Sequence, residues 1–96
     1  MNSVSIVIPA FNEEQRLPAT LSSIFNYLDS RGFDFAEVLV VDDGSNDGTS
    51  AVTERLASSR QGLRLLRNPG NRGKGYSVRH GMLEARGEWV LFTDAD

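Results

Sequence analysis

Two aspartates one residue apart, Asp94 and Asp96, follow a short apolar run, residues 89–93 (WVLFT). A spacing of two puts both carboxylates on one side of an extended chain. Hard oxygen ligands at that spacing suit Mg2+ or Mn2+, with phosphate oxygens completing the octahedron. A second acidic pair, Asp42 and Asp43, leaves another apolar run, residues 38–41 (VLVV). Adjacent residues on an extended chain point opposite ways, so these two carboxylates do different jobs. One can accept bonds from a ligand's base or sugar while the other satisfies loop amides. A turn held by its own side-chain oxygens is the plainer reading of Asp-Asp-Gly-Ser. Residues 70–75 (GNRGKG) set backbone amides beside Arg72 and Lys74. Such amides at a helix start can hold an anion, although a simple glycine turn uses the same residues.

Other patterns fail on context. Asp43, Ser45, Asp47, Gly48, Thr49 and Glu54 fall at the spacing of a calcium loop. A calcium hand needs a helix before the loop, whereas residues 38–41 read as a strand. Residues 68–75 lack the spacing of a P-loop, because Asn68 stands at its first glycine and Gly75 follows the lysine. Residues 9–11 (PAF) offer no glycine for a dinucleotide fingerprint. His80 falls mid-helix with no second His and no Cys in the chain, and reads as an exposed or core-edge histidine.

The elements that must position these groups follow from periodicity. Residues 38–41 are wholly apolar, as in a strand covered on both faces of a parallel sheet. Acids at the end of such a strand stand at the carboxyl edge, where open α/β folds bind ligands. Residues 4–8 (VSIVI) predict a first strand that Pro9 stops. Residues 10–16 read as a loop in which Asn12 could cap a helix, with Glu13 and Glu14 favouring its start. Pro18 suits a first helical turn, and Leu21, Ile24, Phe25 and Leu28 form its apolar stripe up to Gly32. Asp47 or Thr49 can cap a second helix carrying Val52 and Leu56, broken at Gly62. Residues 63–66 predict a third strand and residues 68–75 a turn-rich loop. Residues 76–86 predict a third helix with Val78, Met82 and Ala85 on its apolar side, and residues 89–93 a fourth strand. Strands alternating with helices argue an α/β fold with a mostly parallel sheet in three layers.

Bulk properties narrow the function class. The chain has 96 residues, enough for one small domain or a part of a larger one. A net charge of -3 does not suggest a general nucleic-acid binder. The basic residues nevertheless collect between Arg60 and Arg86, beside acidic strand ends, which suits an anion also held through a metal. Without cysteine there is no disulfide, thiol nucleophile or cysteine metal site. No apolar run nears the ~20 residues of a membrane span, and the N-terminus has no signal-peptide pattern. The expected location is the cytoplasm or the cytoplasmic face of a membrane. An ending on two aspartates directly after a buried strand reads as the N-terminal half of a larger domain.

Taken together, residues 7–14 (VIPAFNEE), 41–49 (VDDGSNDGT), 71–75 (NRGKG) and 94–96 (DAD) resemble family 2 glycosyltransferases with the GT-A fold. Residues 72–96 look most like the dolichyl- or polyprenyl-phosphate β-glucosyltransferase branch. The resemblance implies a Rossmann-like sheet of order 3-2-1-4 and an inverting transfer of glucose from UDP-glucose to a lipid phosphate. It implies that residues 1–96 are the nucleotide-sugar-binding half of the larger domain, with the acceptor half missing. It implies that Pro9 and Ala10, with Asn12 and Glu13 beside them, lie against the uridine. Asp42 and Asp43 would receive the uracil, with Asp43 the preferred contact. Asn71, Arg72 and Lys74 would lie near the base and diphosphate. Asp94 would sit near the ribose, and Asp96, with Asp94 as a second candidate ligand, would bind Mg2+ or Mn2+. No catalytic base is identified, and the resemblance places one, where needed, beyond residue 96. Membrane-surface association would come through the part of the domain beyond residue 96. Alternatives are another donor such as GDP-mannose, another acceptor, or a non-catalytic nucleotide-binding or interaction module. A sugar-phosphate nucleotidyltransferase would need a glycine- and arginine-rich loop after the first strand, where this chain has PAFNEE.

Overall fold

The computed structural model describes residues 2–95. In chain order the elements are β1 (Ser3–Ala10), α1 (Leu17–Arg31), β2 (Phe35–Asp42), α2 (Thr49–Ser59), β3 (Leu63–Arg67), α3 (Lys74–Glu84) and β4 (Trp89–Phe92). The four strands form one parallel sheet in the order β3-β2-β1-β4. This is the α/β, Rossmann-like architecture and the 3-2-1-4 order expected above.

Alternation along the strands builds two cores. Val4, Ile6, Ile8, Val38 and Val40 pack with Leu17, Leu21, Phe25 and Leu28 of α1. The intervening Val7, Leu39 and Val41 face the other way, toward Leu66, Ala85 and Val90. Val38, Leu39, Val40 and Val41 are fully buried, so β2 is covered on both faces as its unbroken apolar run requires. Each such side chain contributes about 1.5–3 kcal/mol on burial. Helices α1 and α2 touch each other, while α3 lies over β1 and β2.

Three expectations need correction. Pro9 does not stop β1, which continues to Ala10 and pairs Pro9 with Val41. The Val7 carbonyl accepts from Thr93 N–H on the β4 side at 3.1 Å. Two residues on, Pro9 faces that same side with no N–H to donate. The proline therefore ends the β1–β4 ladder, not the strand. The packed side of α3 is also not the expected stripe. Ser77 and Gly81 are buried, while Met82 is 52% exposed. A Cβ at Gly81 would overlap the Val7 methyls, 2.9 Å from Cγ2. The helix lies so close to the sheet that small residues, not large apolar ones, form the contact. Finally, Asn12 does not cap α1, whose start at Leu17 has no side-chain cap.

The opposite edge of the sheet holds a buried charge that sequence reading left out. Glu37 is 2% exposed. It accepts from Ser5 Oγ at 2.6 Å and from Arg86 N–H at 2.8 Å, and pairs with Arg64 at 3.2 Å. A buried carboxylate with all these partners ties the α3–β4 turn to three strands.

Candidate active site at the carboxyl edge of the sheet

Strands β1 and β2 run in register, so Ala10 and Asp42 finish side by side. The segments that leave this edge are tied to one another by side chains whose amino-acid types are required for it. Asn12 N–H donates to Ser45 Oγ at 2.8 Å, and Asn46 N–H donates back to Asn12 Oδ1 at 2.7 Å. Glu13 N–H donates to Thr49 Oγ1 at 2.9 Å. Glu14 N–H reaches Asp47 Oδ2 at 3.2 Å, and Gly48 N–H returns to Glu14 Oε1 at 3.0 Å. Asn12 takes a left-handed φ of 55°, which its short polar side chain tolerates. Asp47 accepts Thr49 N–H at 3.0 Å in a local turn, but the N-cap position of α2 is Gly48 with no side-chain cap, so neither Asp47 nor Thr49 caps this helix as expected.

The acidic pair divides as an extended chain demands. Asp42 turns to Ser45 N–H at 2.9 Å and to the Ser50 hydroxyl. Asp43 turns to the third segment: Oδ1 accepts from Arg72 N–H at 2.7 Å and Asn68 Nδ2 at 2.8 Å, and Oδ2 accepts from Gly73 N–H at 2.9 Å. Burial would raise the Asp43 carboxyl, but the bonds from Arg72, Asn68 and Gly73 and the charge of Arg72 outweigh it and hold it below the usual carboxylate range. Gly44 permits this approach, since a Cβ there would lie 2.7 Å from Asn71 N and from the Gly70 carbonyl carbon. Asn71 Nδ2 closes the junction by donating to the Asp43 carbonyl at 3.1 Å.

These ties leave a cleft of about 190 Å³ lined by Pro9, Ala10, Phe11, Glu13, Asp43, Lys74 and Asp94. At its rim Lys74 Nζ meets Asp94 Oδ1 at 2.6 Å, with both side chains more than half exposed. Behind Asp94, Ala95 is buried against the α1 side of the core, and its carbonyl accepts from Thr20 Oγ1 at 2.6 Å. The structure thus brings Pro9, Ala10, Glu13, Asp43, Lys74 and Asp94 together. Asn12, Asp42 and Asn71 stand behind them in the loop ties. Arg72 contributes its N–H to Asp43 while its guanidinium bonds the Pro69 carbonyl at 2.9 Å. Asp96 lies outside the described residues. Among the described residues no three His, Cys, Asp or Glu side chains converge as a metal cluster. Asp94 nonetheless offers the hard, exposed oxygen donor that Mg2+ or Mn2+ takes alongside phosphate oxygens.

Residues that were not named as site candidates complete the site: Glu14, Thr49 and Asn68, read above only for local structure or motif spacing, and Thr20 and Ser77, which motif reading passed over. Their roles are contacts between segments far apart in sequence, for which periodicity carries no signal. A larger hollow, about 720 Å³, lies at the opposite edge beside Arg60, Arg64 and Arg86. It lies where strands begin, away from the edge that binds ligands in open α/β sheets.

Comparison with known proteins identifies the family and the fold. The sequence pattern described as Glycosyl transferase family 2 matches residues 5–96. The dolichyl-phosphate beta-glucosyltransferase of Drosophila melanogaster is 43% identical over 100 residues, covering 97% of this chain and 30% of that protein. The chain spans about 30% of the length of the curated relatives it matches first. Among solved structures, the mannosyltransferase of Pyrobaculum calidifontis in complex with GDP-Man and Mn2+ superposes with a TM-score of 0.84 at 32% identity, over 97% of this chain and 27% of that one. The glucosyl-3-phosphoglycerate synthase of Mycobacterium tuberculosis, in complex with Mn2+, UDP and glucosyl-3-phosphoglycerate, gives 0.77 at 28% identity, over 99% and 34%.

Proposed function

Because the chain belongs to glycosyl transferase family 2, we propose that it is the nucleotide-sugar-binding half of a GT-A domain that moves glucose from UDP-glucose to a polyprenyl or dolichyl phosphate with inversion. One observation carries this reading: Asp43, Lys74 and Asp94 meet the end of β1 in a single cleft at the carboxyl edge. The glucose and lipid-phosphate assignments draw on likeness to dolichyl-phosphate beta-glucosyltransferases.

In this reading the main chain at Pro9 and Ala10 forms the floor for the uridine, flanked by Asn12 and Glu13. Of the acidic pair, Asp43 is the member that lines the cleft, and Asp42 supports it from behind. The Arg72 and Lys74 charges receive the diphosphate beside Asn71, with Lys74 exchanging its partner Asp94 for phosphate oxygens. Asp96, with Asp94 as a second candidate ligand, would hold Mg2+ or Mn2+, which would supply charge neutralisation on the departing diphosphate. An acceptor phosphate oxygen forms the new bond to the anomeric carbon as the bond from that carbon to the UDP oxygen breaks. That oxygen is already anionic at neutral pH, so a general base is less necessary than for a hydroxyl acceptor. Acceptor contacts and membrane-face association belong to residues outside this chain. No helix among the described residues is long and apolar enough to cross a membrane.

A donor screen of the full-length protein tests the proposal: UDP-glucose or GDP-mannose, with Mn2+ or Mg2+ and a polyprenyl phosphate. Glucosyl lipid from UDP-glucose alone is the expected product. Mannosyl lipid instead would favour the second reading, which the likeness to an enzyme in complex with GDP-Man supports. Nucleotide binding without transfer to any acceptor would leave a binding module.

A further inference from the structure

A chain of polar side chains leads from the half-buried His80 in α3 to the cleft. His80 Nδ1 lies 2.8 Å from Asn68 Oδ1. The Asn68 amide nitrogen lies 2.8 Å from Asp43 Oδ1 and 2.8 Å from Ser77 Oγ. A carboxylate only accepts, so the amide must turn its nitrogen to Asp43 and its oxygen to His80. His80 Nδ1 therefore carries hydrogen and donates. The reverse amide orientation would set a carbonyl oxygen against the Asp43 carboxylate. Ser77 Oγ in turn donates to the Gly73 carbonyl at 3.0 Å, and Asn68 N–H to the Asp42 carbonyl at 2.9 Å. Asn68 and Ser77 are buried, whereas His80 is half-buried with the Tyr76 ring edge-on to it.

We propose that His80 is a positioning residue for the nucleotide cleft: through the Asn68 amide it holds Asp43 on the N–H groups of Arg72 and Gly73, and so presets the segment that presents Arg72 and Lys74. This rests on the cleft being the nucleotide site. Gly70 and Gly73 have left-handed φ values of 89° and 97°, and the segment around them is mostly exposed. It packs on no core of its own, so its order depends on Asp43. A segment ordered in advance loses less entropy when a diphosphate binds.

His80→Phe keeps a ring and removes the donor. His80→Asn restores an amide nitrogen near the Nδ1 position. Asn is no better a helix former than Phe, so rescue by Asn cannot come from helix propensity. In the full-length protein, His80→Phe should weaken UDP binding and raise KM for UDP-glucose by about fivefold to tenfold. kcat should change little, and His80→Asn should recover most of the loss. Amide hydrogen exchange at Arg72 and Gly73 should quicken in His80→Phe and slow again in His80→Asn. Unchanged UDP affinity and unchanged exchange, with only a lower Tm, would overturn the proposal. If the wild-type protein binds no UDP, the functional reading fails, and the exchange experiment still decides whether His80 orders this segment. Nitrogen NMR of wild-type His80 needs no variant: hydrogen on Nδ1 is expected, and the Nε2–H tautomer would overturn the link.

Discussion

At the scale of single residues, Asp43 is a carboxylate that lines the cleft and also ties the loops around it together. Three N–H donors from Asn68, Arg72 and Gly73 meet its two oxygens in a nearly buried position. Asp43→Asn keeps the volume but presents an NH2 to one set of those donors. A buried mismatch of this kind costs about 1–3 kcal/mol, so urea unfolding should shift by that amount and UDP binding should weaken with it. The pH dependence has a fixed sign. The folded-state pKa of Asp43 is lowered, so its contribution to stability is fully present above the unfolded value of about 3.9 and is lost as pH falls through the folded value. Asp47 acts in the same direction, through the Thr49 hydroxyl first and against burial. Urea midpoints of the wild type should therefore fall on acidification below about pH 4, and Asp43→Asn should flatten that fall. Sequence reasoning could say that Asp42 and Asp43 diverge, because adjacent strand residues must. The preference for Asp43 comes from the family resemblance, and spacing alone could not say which one met the cleft. That is decided by Asn68, Arg72 and Gly73, which stand 25 to 30 positions along the chain.

At the scale of elements, close approach governs what periodicity cannot. The run at residues 38–41 announced a doubly covered strand, and alternating strands and helices announced the sheet. Apolar counting failed at α3, because Gly81 and Ser77 make the contact and no hydrophobic stripe marks it. Gly81→Ala tests this. Alanine gains up to about 1 kcal/mol in helix propensity, yet its Cβ would overlap Val7, and overpacking costs about 1–3 kcal/mol. The overlap should win, and thermal unfolding should show net destabilisation. At Gly44 the same logic joins two loops. Its φ of 75° and the 2.7 Å approach to Asn71 N leave no room for a side chain. Gly44→Ala should push the residues 68–73 segment off Asp43, weakening UDP binding more than it lowers Tm. The loop ties from Asn12, Glu14 and Asp47 belong here too. Their motifs were visible as strings, but their pairing depends on β1 and β2 ending in register.

At the scale of the whole molecule, the cleft gathers the end of β1, the end of β2, the start of α3 and the segment after β4. A ligand there binds groups from four places in the chain, and all of them must be folded together for it to bind. The fourth strand, expected to be buried, is instead an exposed edge in this chain: Trp89 is 67% and Leu91 52% exposed, beside Leu83 of α3 at 77%. A ligand that binds only the folded state stabilises it by about 2.7 kcal/mol at a hundred times its Kd. UDP with Mn2+ should therefore raise Tm of the full-length protein, and Mn2+ alone should raise it far less, because the phosphate oxygens complete the metal's shell. Asp96→Asn should remove the metal-dependent part of the shift and leave the part due to UDP alone. A UDP shift of equal size with and without Mn2+ in the wild type would sink the metal assignment to Asp96 and Asp94, and would leave Lys74 and Arg72 to carry the diphosphate charge.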